Sequence, residues 1–241
     1  MKEIFDYLTD VCAVAEGKKA NITVHKPNSY LLCPCSGDKL NNAPILYNTF
    51  VNSNLTNAIF RPFDIVNSST KKTYFDAVRN SQNQLTPACK LYRGNDKKSA
   101  YVDCYNNNGA NMFCLSPAWG IVRADYCLPD YEVSFGNGFE SELNRKGEYI
   151  NPLWRIGMVN TFNHLSTTKS NIPLVVIGGA NYIRRAIYLY QIGAIKNPLF
   201  IITNSHKIEN ECKKDPNLKN NCINVKSSSK MKWYYAIMRI I

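Results

Sequence analysis

The sequence predicts an α/β fold, a single domain with a mostly parallel central sheet flanked by helices. Three observations carry that expectation. The segments 28–35, 111–115, 172–177 and 199–203 are short apolar runs of strand length, apolar on both faces as buried parallel strands are. Stretches with helical spacing of apolar residues alternate with them. The chain has 241 residues, 45% hydrophobic and 20% charged, which is enough for one large core and too apolar for global disorder.

Taken in order, Ile4, Phe5, Leu8, Val11, Cys12 and Ala15 recur at helical spacing, so a helix is expected over 2–15 with Gly17 as its stop. The strand 28–35 exits into a loop over 34–39. Helices are expected over 46–60 and 70–85, with a short strand at 61–66 between them. Residues 86–110 are polar, carry Pro87, Gly94 and an Asn run at 106–108, and read as an insertion loop with one strand at 100–104. The strand 111–115 runs into the turn at 116–120, and 128–135 reads as loop, broken by Pro129. A helix over 152–165 precedes the clearest strand, 172–177. Gly178-Gly179 and a helix over 181–192 follow, then the strand 199–203. Residues 204–230 form a basic polar segment, and 233–240 closes the domain 1–241 as a last strand or helix.

Several classes fall away. No apolar run approaches the ~18–20 residues that cross a bilayer. The first residues carry Lys2, Glu3, Asp6 and Asp10 and lack the basic-then-apolar layout of a signal peptide. A cytoplasmic location is therefore expected, the host cytoplasm if the chain is viral, with its nine cysteines reduced. Cys33-x-Cys35 is too tightly spaced for a zinc knuckle, no Cys-x-x-Cys exists, and there are three histidines. No metal and no cofactor are expected. The net charge is +11, and residues 181–241 hold eleven Lys/Arg against three Asp/Glu. That imbalance points to an anionic partner, nucleic acid or nucleotide phosphate first, or else to a solvated Lys-rich surface. The Asn- and Lys-rich composition suits an AT-rich genome.

Functional loops in parallel sheets lie beyond the carboxyl ends of the strands, which selects 34–39, 116–131 and 178–184. In Cys33-Pro34-Cys35-Ser36-Gly37-Asp38-Lys39, small residues let backbone N–H groups face an anion. Lys39 is the candidate catalytic residue: it can neutralise phosphate or, desolvated, act as nucleophile or base. Cys35 and Ser36 stand beside it, and no histidine lies near Cys35 in sequence to activate its thiol. The P-loop spacing is absent, and an ordinary strand-exit turn is the competing reading. In the second loop Ser116 and Gly120 can bind a ligand, Trp119 can stack on a base, and Asp130 can orient a base edge or exchange a proton. Trp119 can equally be packed in the core. In the third, Gly178 and Gly179 before a helix form an anion-binding nest, with Tyr182 and Arg185 as pocket-lining candidates. The dinucleotide fingerprint fails here for want of Gly-x-Gly-x-x-Gly. His25, His164 and His206 show no catalytic spacing and read as surface or packed residues.

Together these blocks resemble a family. Cys35-Ser36-Gly37-Asp38-Lys39 followed by Leu46-Tyr47 is similar to the "Cys-Ser-x-x-Lys … Leu-Tyr" opening of the YaaA-like family of bacterial and phage α/β proteins. Leu115-Ser116-Pro117-Ala118-Trp119-Gly120-Ile121 resembles their "Leu-Ser-Ala-x-x-Gly-Leu" block. Gly178-Gly179-Ala180-Asn181-Tyr182 resembles their strand–Gly–"x-Tyr" block. Pro34-Cys35 with Lys39 also resembles the lysine motif of the archaeosine synthase family, although Leu40-Asn41 replaces the Pro-Tyr that follows there. The resemblance covers about half the chain, omitting 61–110 and 204–230. It implies an α/β pocket protein associated with nucleic acids or their modified bases. In the function expected here, Tyr47 and Tyr182 would wall the pocket.

The expected function is a nucleic-acid-associated protein with a nucleotide- or base-sized pocket, including the case of a base-modifying enzyme. Two alternatives stay open: a non-catalytic DNA-binding protein using the basic carboxyl-terminal quarter, and a small-molecule nucleotide binder or hydrolase in phage–host conflict. No membrane partner is expected.

Overall fold

A computed structural model describes residues 1–35, 86–93, 99–116, 120–128, 170–193, 195–226 and 233–241. Its helices are α1 (Lys2–Ala15), α2 (Ala88–Leu91), α3 (Ala100–Asn108), α4 (Ala180–Gln191), α5 (His206–Lys214) and α6 (Trp233–Ile240). Its strands are β1 (Tyr30–Pro34), β2 (Thr86–Pro87), β3 (Met112–Ser116), β4 (Gly120–Arg123), β5 (Cys127–Leu128), β6 (Leu174–Ile177), β7 (Leu199–Thr203) and β8 (Cys222–Asn224). The fold is α/β, on a mostly parallel sheet of six strands in the order β4-β3-β1-β6-β7-β8. The chain groups into two compact units, one of Met1–Pro34, Ala100–Phe113 and Leu165–Ile241, the other of Cys35–Ser99 and Cys114–His164.

The first unit holds the parallel strands β1, β6, β7 and β8. Leu31 pairs with Val175, Val175 with Phe200, and Ile202 with Ile223. Every residue of β1, β6 and β7 is buried. This is what unbroken apolar runs require: with no polar face to give to water, the strand must be covered on both sides. Full burial of each Val, Leu or Ile contributes roughly 1.5–3 kcal/mol, so these strands are the main hydrophobic anchor of the unit.

Helix α1 buries Ile4, Tyr7, Leu8, Val11 and Cys12, the stripe its spacing predicts. It stops where Gly17 takes φ +71°, a conformation glycine adopts without strain. Burial pushes the Cys12 thiol up to about 12 and the Tyr7 hydroxyl likewise to about 12. Beyond the helix, Asp10 accepts from Lys19 Nζ at 2.8 Å and from the Thr23 backbone at 2.9 Å, which ties the connection to β1 back onto α1. Those hydrogen bonds hold the Asp10 carboxyl well below the usual range.

Two expectations are corrected here. The strand expected at 100–104 is part of helix α3, because Ala100, Tyr101 and Cys104 turn to one helical face and are fully buried. Tyr101 packs edge-on against Tyr235 of α6, ring centroids 6.1 Å apart. That packing, more than local propensity, selects the helix. The expected insertion loop likewise contains β2 and α2. The basic polar segment 204–230 contains α5, capped by Ser205, and the strand β8. The closing element, 233–240, is a helix.

In the second unit β2 and β5 pair antiparallel, Thr86 with Leu128 and Pro87 with Cys127. Ala88 and Cys89 donate to the carbonyls of Tyr126 and Ala124 at 2.9 and 2.8 Å, holding α2 on the turn between β4 and β5. The expected helices at 46–60, 70–85 and 152–165 and the strand at 61–66 lie outside the described residues. No helix among the described residues is long and apolar enough to cross a membrane, and none of the nine cysteines is in a disulfide.

The sheet core sets the first test. Ile201 of β7 is fully buried, so Ile201→Ala should lower unfolding free energy by about 2–5 kcal/mol. A urea titration should show this as a lower midpoint at an unchanged slope.

Candidate functional site at the carboxyl edge of the sheet

From β1 the strand order runs outward to β3 on one side, and from β6 to β7 and β8 on the other. The direction of winding therefore reverses between β1 and β6. In open parallel sheets, ligands bind in the crevice outside the carboxyl ends of strands at such a reversal. β1 and β6 are parallel with Leu32 opposite Val176, which puts Pro34 level with Gly178 at that edge.

Each side of this edge is positioned by its own contacts. The Tyr101 hydroxyl donates to the Pro34 carbonyl at 2.8 Å, from a fully buried ring, and fixes where β1 ends. Gly178 sits at φ +156°, where side chains are strained, and a Cβ there would lie 3.5 Å from Pro34 Cγ and 3.4 Å from Tyr182 Cβ. Glycine is thus favoured by conformation, the two distances being ordinary van der Waals contacts. Gly179 is the N-cap of α4 and brings no side chain to cap it. Its carbonyl accepts from Tyr182 and Ile183 at 3.1 and 3.2 Å, starting the helix. The first amides of a helix point outward without an intrahelical partner and carry the positive end of the helix dipole.

The next helix shows the contrast. Ser205 caps α5, accepting from Ile208 N at 3.5 Å, and Ser205 N donates to Thr203 Oγ1 at 3.1 Å. Its first turn is closed over by side chains. Glu209 accepts from Lys213 Nζ at 2.6 Å and from Asn224 Nδ2, and lies 3.3 Å from His206 Nδ1. Hydrogen bonds from Lys213 and Asn224, in that order, hold the Glu209 carboxyl down at about 2. The His206–Glu209–Lys213 spacing is the i,i+3 and i,i+4 pattern of a helix face and was present in the sequence. Asn224 could not be found that way, since strand pairing brings it there.

Of the predicted site residues, the structure brings Gly178, Gly179 and Tyr182 together with Pro34, the strand-end residue before Cys35. Tyr182 is half-buried on the first turn of α4. Arg185 is buried beneath that turn, and its guanidinium donates to the Asn181 carbonyl at 2.7 Å. In the second unit, Cys35 N donates to Leu115 O at 3.0 Å, and both Cys35 and Ser116 are buried. Ser116 ends β3 and Gly120 begins β4. Lys39, Ser36, Tyr47, Trp119, Asp130 and His164 lie outside the described residues. No group of three or more metal-ligating side chains is found among the described residues. Two grooves, of about 700 and 240 Å³, lie at the opposite edge, lined by residues leading into β8 and β1.

Two outcomes follow from this geometry. Gly178→Ala should cost about 1–3 kcal/mol through its strained φ, whereas Gly179→Ala, at φ −71° with open space around the new Cβ, should be much better tolerated. Chemical unfolding of the two variants checks this. For Glu209 the folded carboxyl titrates below its ordinary 4.5, so its stabilisation is present above pH 4.5 and lost as pH falls toward about 2. Glu209→Gln should flatten that part of a plot of urea midpoint against pH.

Comparison with protein-family models, with curated proteins and with solved structures found no match to this chain. The resemblance to the YaaA-like family accordingly rests on the sequence blocks that suggested it.

Proposed function

We propose that the chain binds a phosphate-bearing ligand, a nucleotide or a nucleic-acid strand, outside the carboxyl ends of β1 and β6. The observation that carries this reading is the Gly178-Gly179 turn at the uncapped start of α4, lying at the reversal of strand order. Backbone amides at a helix start are matched to phosphate by geometry and by dipole, and the winding reversal supplies the crevice. The net charge of +11 favours the same class of partner. Lys39 follows Pro34 by five positions in a stretch of small residues and would add a cation. If the ligand presents a reactive base, Lys39 is the candidate nucleophile, which would make the protein a base-modifying enzyme.

Binding of ATP and of a fluorescent oligonucleotide, each followed across a salt series, tests the reading. For the oligonucleotide, log K should fall linearly with log salt. Lys39→Met should lower ATP affinity about tenfold or more, as a charge-assisted contact is worth roughly 1.5–3 kcal/mol, and leave the unfolding midpoint unchanged. Lys207→Glu with Lys214→Glu changes exposed residues of α5 and should weaken only the oligonucleotide. Lys213 is a poorer choice because it is tied to Glu209. Absence of binding to both probes at low salt would overturn the proposal. Oligonucleotide binding by the wild type that is lost in the Lys207→Glu, Lys214→Glu variant, with no ATP binding, would favour a non-catalytic DNA-binding protein.

A further inference from the structure

The connection from β7 through α5 to β8 places two cysteines against each other. Asn224 of β8 hydrogen-bonds to α5 at Glu209 and approaches His206 Nδ1 at 3.1 Å. The face of β8 that carries Asn224 is therefore the face α5 covers. Side chains alternate along a strand with period two, so Cys222 shares that face. Because α5 returns the chain between parallel strands, it runs against the direction of β8. Asn224 meets the first turn of α5, and Cys222, two residues earlier, meets the last turn. Cys212 is there, on the buried stripe it forms with Ile208.

The two thiols differ in access. Cys212 is fully buried, while Cys222 is partly exposed and lines the groove of about 700 Å³ with Met1, Lys2, Phe5, Pro216 and Lys219. Lys2 and Lys219 are exposed and give this groove a positive rim. The thiols share a hydrogen bond, which lowers the Cys212 pKa and raises that of Cys222. One negative charge is thereby stabilised between the two sulfurs and rests on Cys212, which can take the Cys222 proton as Cys222 reacts at the groove.

We propose that Cys212 and Cys222 form a redox-active dithiol that closes to a disulfide by exchange with a small-molecule disulfide admitted through this groove. Cys222, giving its proton to the Cys212 thiolate, attacks one sulfur of R–S–S–R, forming a mixed disulfide and releasing one thiolate, which takes that proton from Cys212. Cys212, as thiolate, then attacks the Cys222 sulfur and releases the second. Two protein thiols are oxidised, one small disulfide is reduced, and the two thiol protons leave on two molecules of RSH. The positive rim favours a disulfide bearing carboxylates, such as oxidised glutathione. Closure would staple α5 to β8 across the intervening residues 213–221. The proposal is independent of ligand binding at the opposite edge.

The test equilibrates the reduced full chain with oxidised glutathione, alkylates the remaining thiols and maps the peptides by mass spectrometry. The expected product is a Cys212–Cys222 cross-link with loss of two hydrogens, reversed by dithiothreitol. Cys212→Ser should trap glutathione on Cys222. Cys127, the exposed cysteine of the second unit, should give only a mixed disulfide. Reduced wild-type protein should also bind one equivalent of phenylarsine oxide, lost in Cys222→Ser. A wild-type chain that keeps Cys222 as free thiol or stable mixed disulfide, or that binds no arsenical through this pair, would overturn the inference. Both readouts use the unmutated fold, so a poorly folding variant does not blunt them.

Discussion

Burial of β1, β6 and β7 on both faces is the constraint on which the described architecture depends. A strand with no polar face cannot border water, so helices must cover it, and each covering helix must then connect one strand end to the next strand start. Polar groups are thereby driven out of the sheet faces and toward strand ends. Thr203 and Ser205 at the end of β7, and Gly178 and Gly179 after β6, show the result. Chemistry in such a sheet is confined to its edges by the same apolar effect that holds it together.

The two helices that follow β6 and β7 use their starts differently. Ser205 satisfies the first turn of α5 internally, and the Glu209, Lys213 and Asn224 cluster fastens that helix to β8. Helix α4 begins instead on a glycine pair, with Pro34 packed at Gly178 and Arg185 holding the Asn181 carbonyl from below. A capped start contributes about 1 kcal/mol, which α4 forgoes at this position. The difference is one of local chemistry. One helix start is closed by side chains, and the other begins on a glycine with no side-chain cap.

The opposite edge has its own character. There the residues leading into β8 form a groove with a positive rim, and Cys222 stands in its wall over Cys212. Most of the other cysteines are enclosed, as Cys33, Cys104 and Cys114 are in the core, where a thiol behaves as a small apolar group. Burial pushes Cys12 up to about 12, which keeps it protonated and inert. A cysteine acquires redox chemistry from a neighbouring thiol and from access, and the turn between α5 and β8 supplies both to Cys222.

The sequence by itself determined the elements whose pattern is local: the buried stripe of α1, the unbroken apolar strands β6 and β7, and the glycine turn before α4. Periodicity and propensity act over a few residues, so they are legible without a structure. The tertiary structure decided what depends on partners distant along the chain. Residues 100–104 read as a strand because Ala-Tyr-Val-Asp-Cys is short and its helical stripe becomes evident only once Tyr101 packs on Tyr235. The pairing of β1 with β6 set Pro34 against Gly178 and brought two strand ends side by side. The α5–β8 crossover set Asn224 on Glu209 and Cys222 over Cys212, although neither pair has a diagnostic spacing. Strand order and crossover direction arise from burying all these apolar faces at once, a condition imposed by the whole chain and written in no single segment of it.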